Sequence, residues 1–102
     1  MTLEKMTLEH IKVFQTLQNP YCLSILSFVQ SAKTFSSIKK HISLSSPRTS
    51  TCLRKLQDQY LVEKINQSPN ESAHQYHITF RGRMIISLYD SIRGVLHEVS
   101  NT

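Results

Sequence analysis

The sequence of 102 residues contains no Asp or Glu between Glu9 and Asp58, although seven Lys and Arg residues lie in that interval. The formal charge of the whole chain is +5. The positive electrostatic potential of this segment raises the local concentration of a polyanion and speeds its encounter with the protein. The missing acidic residues therefore favour a nucleic acid partner, although a basic surface also attracts polyanions without any specific target.

The patterns of a membrane protein, a secreted domain and an enzyme are also missing. No run of eighteen apolar residues occurs, and the N-terminus lacks the basic-then-apolar order of a secretion signal. These absences predict a cytoplasmic protein with no membrane partner. A Gly-rich phosphate loop, a carboxylate pair at useful spacing and a His-Glu-x-x-His run are absent too, so we expect no catalytic residues and no cofactor.

Cysteine and histidine are too sparse to predict a metal site. Two cysteines, Cys22 and Cys52, do not form a disulfide framework, and on the inner faces of separate helices they behave as small hydrophobes. His74-x-x-His77 is a near-motif, but side chains three residues apart on a strand point to opposite faces. Redox sensing stays open as an alternative, because cations flank Cys52 in the sequence.

Residues 34–60 have the pattern of two short helices joined by a tight turn. Phe35, Ile38 and Ile42 recur at helical spacing, and Leu44 follows as a core residue after the turn. We expect Ser36 to cap the first helix.

The second helix is predicted over residues 46–59. Ser45 or Ser46 precedes Pro47, which suits a first helical turn, and the restriction that proline places on its predecessor favours Ser46 as the N-cap. A projection at about 100° per residue turns four residues inward. These are Thr49, Cys52, Leu53 and Leu56.

The outward face of this helix carries hydrogen-bond donors and no carboxylate until Asp58. Arg can bind guanine O6 and N7 with two parallel bonds, while Ser and Thr can meet a base edge or a phosphate, so this face suits a DNA major groove. A solvated face on an ordinary helical hairpin is the alternative. The predicted DNA contacts are Ser46, Arg48, Ser50, Thr51, Arg54 and Lys55, with Lys39 and Lys40 on the preceding helix.

Two further helices are expected before this unit. Thr7 can cap a helix that runs to about Gln18, with Leu8, Ile11, Phe14 and Leu17 facing inward. Asn19-Pro20 ends that helix and caps the next, whose apolar residues are Tyr21, Cys22, Ile25, Leu26 and Val29.

After Val62 the apolar period changes to that of strands. Residues 63–67 and 74–80 alternate as two paired strands, and residues 68–72 supply the turn between them. We call this predicted hairpin, residues 62–81, the wing. Its candidate phosphate contacts are Lys64, His74 and Arg81.

The chain ends in a predicted helix over residues 82–99 with an almost heptad apolar stripe. Pairing with a second copy would bury this stripe. It would also place the two copies of the helix over residues 46–59, the recognition helix, roughly 34 Å apart, matching a palindromic site. Folding back onto the first helix is the alternative. The predicted dimer interface comprises Ile85, Leu88, Tyr89, Ile92, Leu96 and Val99.

The spacing of several short motifs resembles winged helix-turn-helix repressors of the HxlR and ArsR types, within the MarR/PadR-like superfamily. The match covers roughly residues 17–88. The motifs are Leu44-Ser45, Ser50, Leu53-Arg54, Leu56, Leu61-Val62 and the wing-closing Tyr76-x-Ile78-Thr79-x-x-Gly82-Arg83.

The sequence departs from these families at two turns and in one motif. Ser43 stands where they usually have Gly in the turn, and Tyr60 where Gly is expected at the end of the recognition helix. The residues from Ser46 to Thr49 resemble an HxlR motif, but they lie one residue away from its usual position relative to the leucine motifs. The base-contacting roles of the family therefore cannot be transferred position by position.

The length of 102 residues and a hydrophobic content of 39% support a single compact domain over residues 1–102. The resemblance implies that this domain is mainly α, with three to four helices, a two-stranded wing and a long C-terminal helix. It also implies a homodimeric, sequence-specific transcriptional regulator of double-stranded DNA. The alternative is a winged-helix module that binds proteins or RNA within a larger assembly. Such a module would carry apolar anchors on the exposed helix face, so the polar donors there favour DNA.

Overall fold

The computed structural model describes the backbone of residues 3–66, 69–70 and 73–100. Within these residues the chain forms five helices and a small antiparallel sheet, a winged helix-turn-helix fold as predicted. The elements are α1 (Leu3–Gln18), α2 (Pro20–Phe28), β1 (Lys33–Thr34), α3 (Phe35–Ile42), α4 (Ser46–Asp58), β2 (Val62–Asn66), β3 (Gln75–Ile78) and α5 (Phe80–Ser100).

Helix α1 differs from the prediction at its start and in its buried face. It begins at Leu3, so Thr7 lies within the helix and does not cap it. Among the four residues predicted to face inward, Leu17 is buried, but Leu8, Ile11 and Phe14 are exposed. Their place in the core is taken by a second stripe of the same helix, which comprises Val13, Thr16 and Leu17.

Helix α2 is capped as the sequence predicted. The Asn19 side-chain oxygen accepts hydrogen bonds from the backbone N–H groups of Tyr21 (2.9 Å) and Cys22 (3.3 Å), and Pro20 occupies the first turn. Val29 is the C-cap of this helix and not part of it. The cap fixes the point at which the chain turns from α1 into α2.

Both helices of the helix-turn-helix unit begin with a different cap from the predicted one. Thr34, not Ser36, caps α3, because Thr34 has the extended backbone of a cap and its hydroxyl accepts from the Ser37 N–H at 3.1 Å. Ser45, not Ser46, caps α4 through the Arg48 N–H at 3.4 Å. Pro47 then occupies the second helical position, where the missing N–H is equally harmless.

The two sites without glycine adopt the left-handed backbone that glycine would favour. Ser43 ends α3 at φ 55°, and Tyr60 follows α4 at φ 60°. The N–H groups of Tyr60 and Leu61 donate to the carbonyls of Gln57 and Leu56, both at 2.9 Å, which is the Schellman pattern. A left-handed residue other than glycine costs about 1–2 kcal/mol, and the burial of Leu56 and Leu61 on either side of Tyr60 offsets part of this cost.

The sheet has the order β1-β3-β2, and β2 pairs antiparallel with β3 in the register Val62 opposite Ile78. The two-stranded wing is therefore present, with β1 added at the other edge of β3. The predicted turn over residues 68–72 lies partly outside the described residues. Strand β3 ends at Ile78 and α5 begins at Phe80, so the predicted strand to Phe80 and helix start at Gly82 are both displaced.

Thr79 and Gly82 join the wing to α5. The Thr79 hydroxyl donates to the Tyr60 carbonyl (2.6 Å) and accepts from the Gly82 N–H (3.0 Å), which ties the end of the recognition unit to the start of α5. A Cβ at Gly82 would overlap with the Leu61 carbonyl oxygen and lie 2.7 Å from Ile78 Cγ1. Glycine is therefore required here by close packing.

Candidate nucleic acid interface

Helix α4 separates its buried and exposed residues as the projection predicted. Its inward stripe of Thr49, Cys52, Leu53 and Leu56 is buried against the rest of the domain. Most of the predicted DNA contacts on its other side are exposed, and Ser50 is half-buried. The Thr51 hydroxyl donates to the Pro47 carbonyl at 2.9 Å, so its remaining capacity is as an acceptor.

The cations of α3 lie at the end of that helix next to the turn. Lys39 and Lys40 are exposed in its last turn together with His41. Cations are favoured at a helix C-terminus because they oppose the negative end of the helix dipole. The turn to α4 is short, so these side chains extend the cationic surface of α4 without a carboxylate in either helix before Asp58.

Two of the three predicted wing contacts lie on or directly beside the strands of the wing. Lys64 on β2 is half-buried and its ammonium lies 5.8 Å from the centre of the Tyr76 ring. His74 is also half-buried. Arg81 was wrongly assigned to the wing: it is exposed in the first turn of α5, because Thr79 caps the helix two residues earlier than expected.

An apolar groove lies between α1 and α5. It encloses about 580 Å³ and includes Phe14, Leu17, Met84, Leu88, Tyr89 and Ile92 in its lining. Leu88 is 58% exposed and Ile92 is 43% exposed, so α5 does not bury its stripe by folding back onto α1. Ile85 is half-buried beside them, while the side chains of Leu96 and Val99 lie outside the described residues.

Sequence reasoning missed the contribution of α1 to this surface. Leu8, Ile11 and Phe14 were predicted as core residues, yet they form an exposed apolar face. The sequence did contain a sign of this exposed face. Helix α1 has a second apolar stripe, through Val13 and Leu17, and this stripe is the part of α1 that lies in the core. A helix with two apolar stripes has one more than its own domain needs.

The two cysteines are closer in space than their separation in sequence suggested. Cys22 on α2 and Cys52 on α4 are both buried and form no disulfide, and they lie near enough for Cys52 to affect the Cys22 thiol. Burial, followed by the neighbouring Cys52, raises the pKa of the Cys22 thiol to about 12. Burial with a raised pKa is the opposite of the setting that activates a thiol, so Cys22 does not favour redox sensing.

Two other features of the described residues bear on function. No group of three or more His, Cys, Asp or Glu side chains among them could hold a metal ion. No helix in this part of the chain is long and apolar enough to cross a membrane.

Neither protein-family models nor the sequences of curated proteins match this chain. Solved structures do match it over most of its length. The homodimeric winged helix-turn-helix DNA-binding domain (fragment 1–100) of Mb0332 from Mycobacterium bovis, a possible ArsR-family transcriptional regulator, has a TM-score of 0.75 at 20% identity. That match covers 96% of this chain and 92% of the Mb0332 fragment.

Two further structures give similar values. NolR from Sinorhizobium fredii has a TM-score of 0.73 at 21% identity and covers 92% of this chain and 95% of NolR. The transcriptional regulator HlyU from Vibrio vulnificus has a TM-score of 0.67 at 17% identity, covering 88% of this chain and 93% of HlyU. Mb0332 is described as a possible transcriptional regulator and HlyU as a transcriptional regulator. The chain has the winged helix-turn-helix fold of transcriptional regulators.

Proposed function

We propose that this protein is a homodimeric transcriptional regulator that binds a specific sequence in double-stranded DNA. The observation that carries the proposal is the division of α4 into a fully buried stripe and an exposed face of cations and hydroxyls. A helix held rigidly by one face can enter a major groove with the other. An arginine of α4, Arg48 or Arg54, can bind guanine through paired hydrogen bonds.

Lys39 and Lys40 have a different role in this proposal. They lie at the end of α3, beside the turn and not on the helix that enters the groove. From there they reach phosphates, which add affinity without distinguishing sequences. Lys64 and His74 on the wing are additional candidates for phosphate contacts.

The dimer is proposed to form through the α1–α5 apolar groove. A small domain with an exposed apolar surface on two neighbouring helices gains free energy by covering it, and a second copy offers the same surface. Mb0332, whose fold matches, is described as homodimeric. A two-fold arrangement would present two copies of α4 to a palindromic site.

The other candidate is a module that docks proteins or RNA on the same fold. Apolar anchors on the exposed face of α4 would favour it, but the described side chains there are polar or cationic apart from Pro47. Selection of bound sequences from random duplexes tests the two functions directly. Enrichment of one palindromic sequence supports the regulator. If the recovered duplexes show no enriched sequence, the result supports the module.

A further inference from the structure

A cleft between α2 and α4 joins residues that the sequence analysis kept apart. It encloses about 320 Å³ and opens to solvent beside the recognition helix. Asn19 and Tyr21 line it from the start of α2, while Arg48, Thr51 and Lys55 line it from α4. We call it the α2–α4 cleft. Tyr21, which was predicted only as a member of the second helix, is 44% exposed here.

The chemistry of the cleft suits an anion. Two of its lining side chains are cations, one carries a phenol hydroxyl, and no carboxylate is among its lining residues. The backbone N–H groups of Tyr21 and Cys22 are already bound by the Asn19 side chain, so the end of α2 itself does not supply the donors. The available donors include the side chains of Tyr21, Arg48 and Lys55, together with the Asn19 amide NH2 group.

Helix geometry divides the exposed face of α4 into a flank and a centre. At about 100° per residue, Arg48 and Lys55 project within about 60° of Cys52, whose side borders α2. Arg54 projects about 160° from Cys52, within about 30° of the direction opposite the buried stripe. When a helix lies in a major groove, the centre of its exposed face meets base edges and each flank meets a sugar-phosphate strand.

We infer that the α2–α4 cleft holds the phosphodiester backbone at one edge of the bound groove, with Tyr21, Arg48 and Lys55 as its donors. This inference rests on the proposed DNA-binding function. It gives the two arginines of α4 separate tasks. Arg48 contributes affinity with Tyr21, and Arg54 reads bases.

Tyr21→Phe is the sharpest test, because it removes only the hydroxyl. Binding is measured by titration against the duplex recovered by selection and against a random duplex. The variant should weaken both by the same factor, on the order of tenfold, since a hydrogen bond to a charged group is lost in each complex. Tyr60→Phe is the matched control: Tyr60 is exposed at the other end of α4, and its variant should bind as the wild type does.

Arg48→Ala should also weaken both complexes equally. It should reduce the steepness of the plot of log K against log salt by about one, because one phosphate contact is lost. Duplexes with a single neutral methylphosphonate locate the contact. At one position the methylphosphonate should lower the affinity of the wild type. The same methylphosphonate should lower the affinity of Tyr21→Phe, which has already lost the hydroxyl, by only a little. That non-additive result is expected only if the hydroxyl and that phosphate interact.

Three outcomes would overturn the inference while leaving the proposed function intact. They are wild-type affinity in Tyr21→Phe, a change in its ratio of selected to random binding, and additive losses at every methylphosphonate position. A wild-type protein that binds no duplex would instead refute the proposed function and this inference together.

Discussion

Replacing Leu88 and Ile92 together with Glu should convert the proposed dimer to a monomer. These side chains are 58% and 43% exposed in the single chain. Full burial of Leu or Ile is worth about 1.5–3 kcal/mol, so covering the exposed part gives about 2 kcal/mol for the pair in one copy. Both copies contribute, which makes about 4 kcal/mol for the dimer, or roughly a thousandfold in dissociation constant.

Sedimentation equilibrium from about 1 to 100 μM measures this change. Ile65→Glu is the control, because Ile65 is a comparably exposed apolar residue on β2 outside the groove, and its variant should keep the wild-type dissociation constant. A wild type that is monomeric at tens of micromolar refutes the dimer and the palindromic site with it. A double variant that dimerises like the wild type places the interface elsewhere.

Two further predictions concern stability. Gly82→Ala should destabilise the fold by about 1–3 kcal/mol in urea unfolding, because its Cβ meets the Leu61 carbonyl and Ile78; Gly94→Ala has open space and should stabilise by up to about 1 kcal/mol. Equal effects would contradict the close packing at Gly82. The raised pKa of Cys22 favours the neutral thiol in the folded state. The contribution of this thiol to the free energy of unfolding is therefore complete below pH 9.0 and is lost as the pH rises to about 12. Over that range the folding constant should fall roughly tenfold per pH unit. Cys22→Ala should show a shallower loss of stability over that range, and an identical slope would contradict the assignment.

The helices, the wing and the buried face of α4 could be predicted because they depend on local periodicity. Thr49, Leu53 and Leu56 follow one stripe that a single helix must bury, whatever it packs against. The resemblance marked Ser43 and Tyr60 as positions where Gly is usual, and both residues adopt the left-handed backbone there.

The features that were not predicted depend on contacts between parts of the chain that are distant in sequence. β1 is two residues long and exists because β3 pairs with it, so no alternation could show it. The extended Thr34 that this strand delivers is the reason why it, and not Ser36, caps α3. The cleft beside Tyr21 depends on the packing of α2 against α4, which periodicity within one helix does not determine.

The account depends most directly on whether the centre of the exposed α4 face reads DNA sequence. Titration of Arg54→Ala and Lys40→Ala against the selected duplex and a random duplex, at several salt concentrations, measures this. Arg54→Ala should cost about 1–3 kcal/mol on the selected duplex and much less on the random one. Lys40→Ala should weaken both alike and lower the salt dependence. Unchanged discrimination in Arg54→Ala would contradict the account and favour the interaction module.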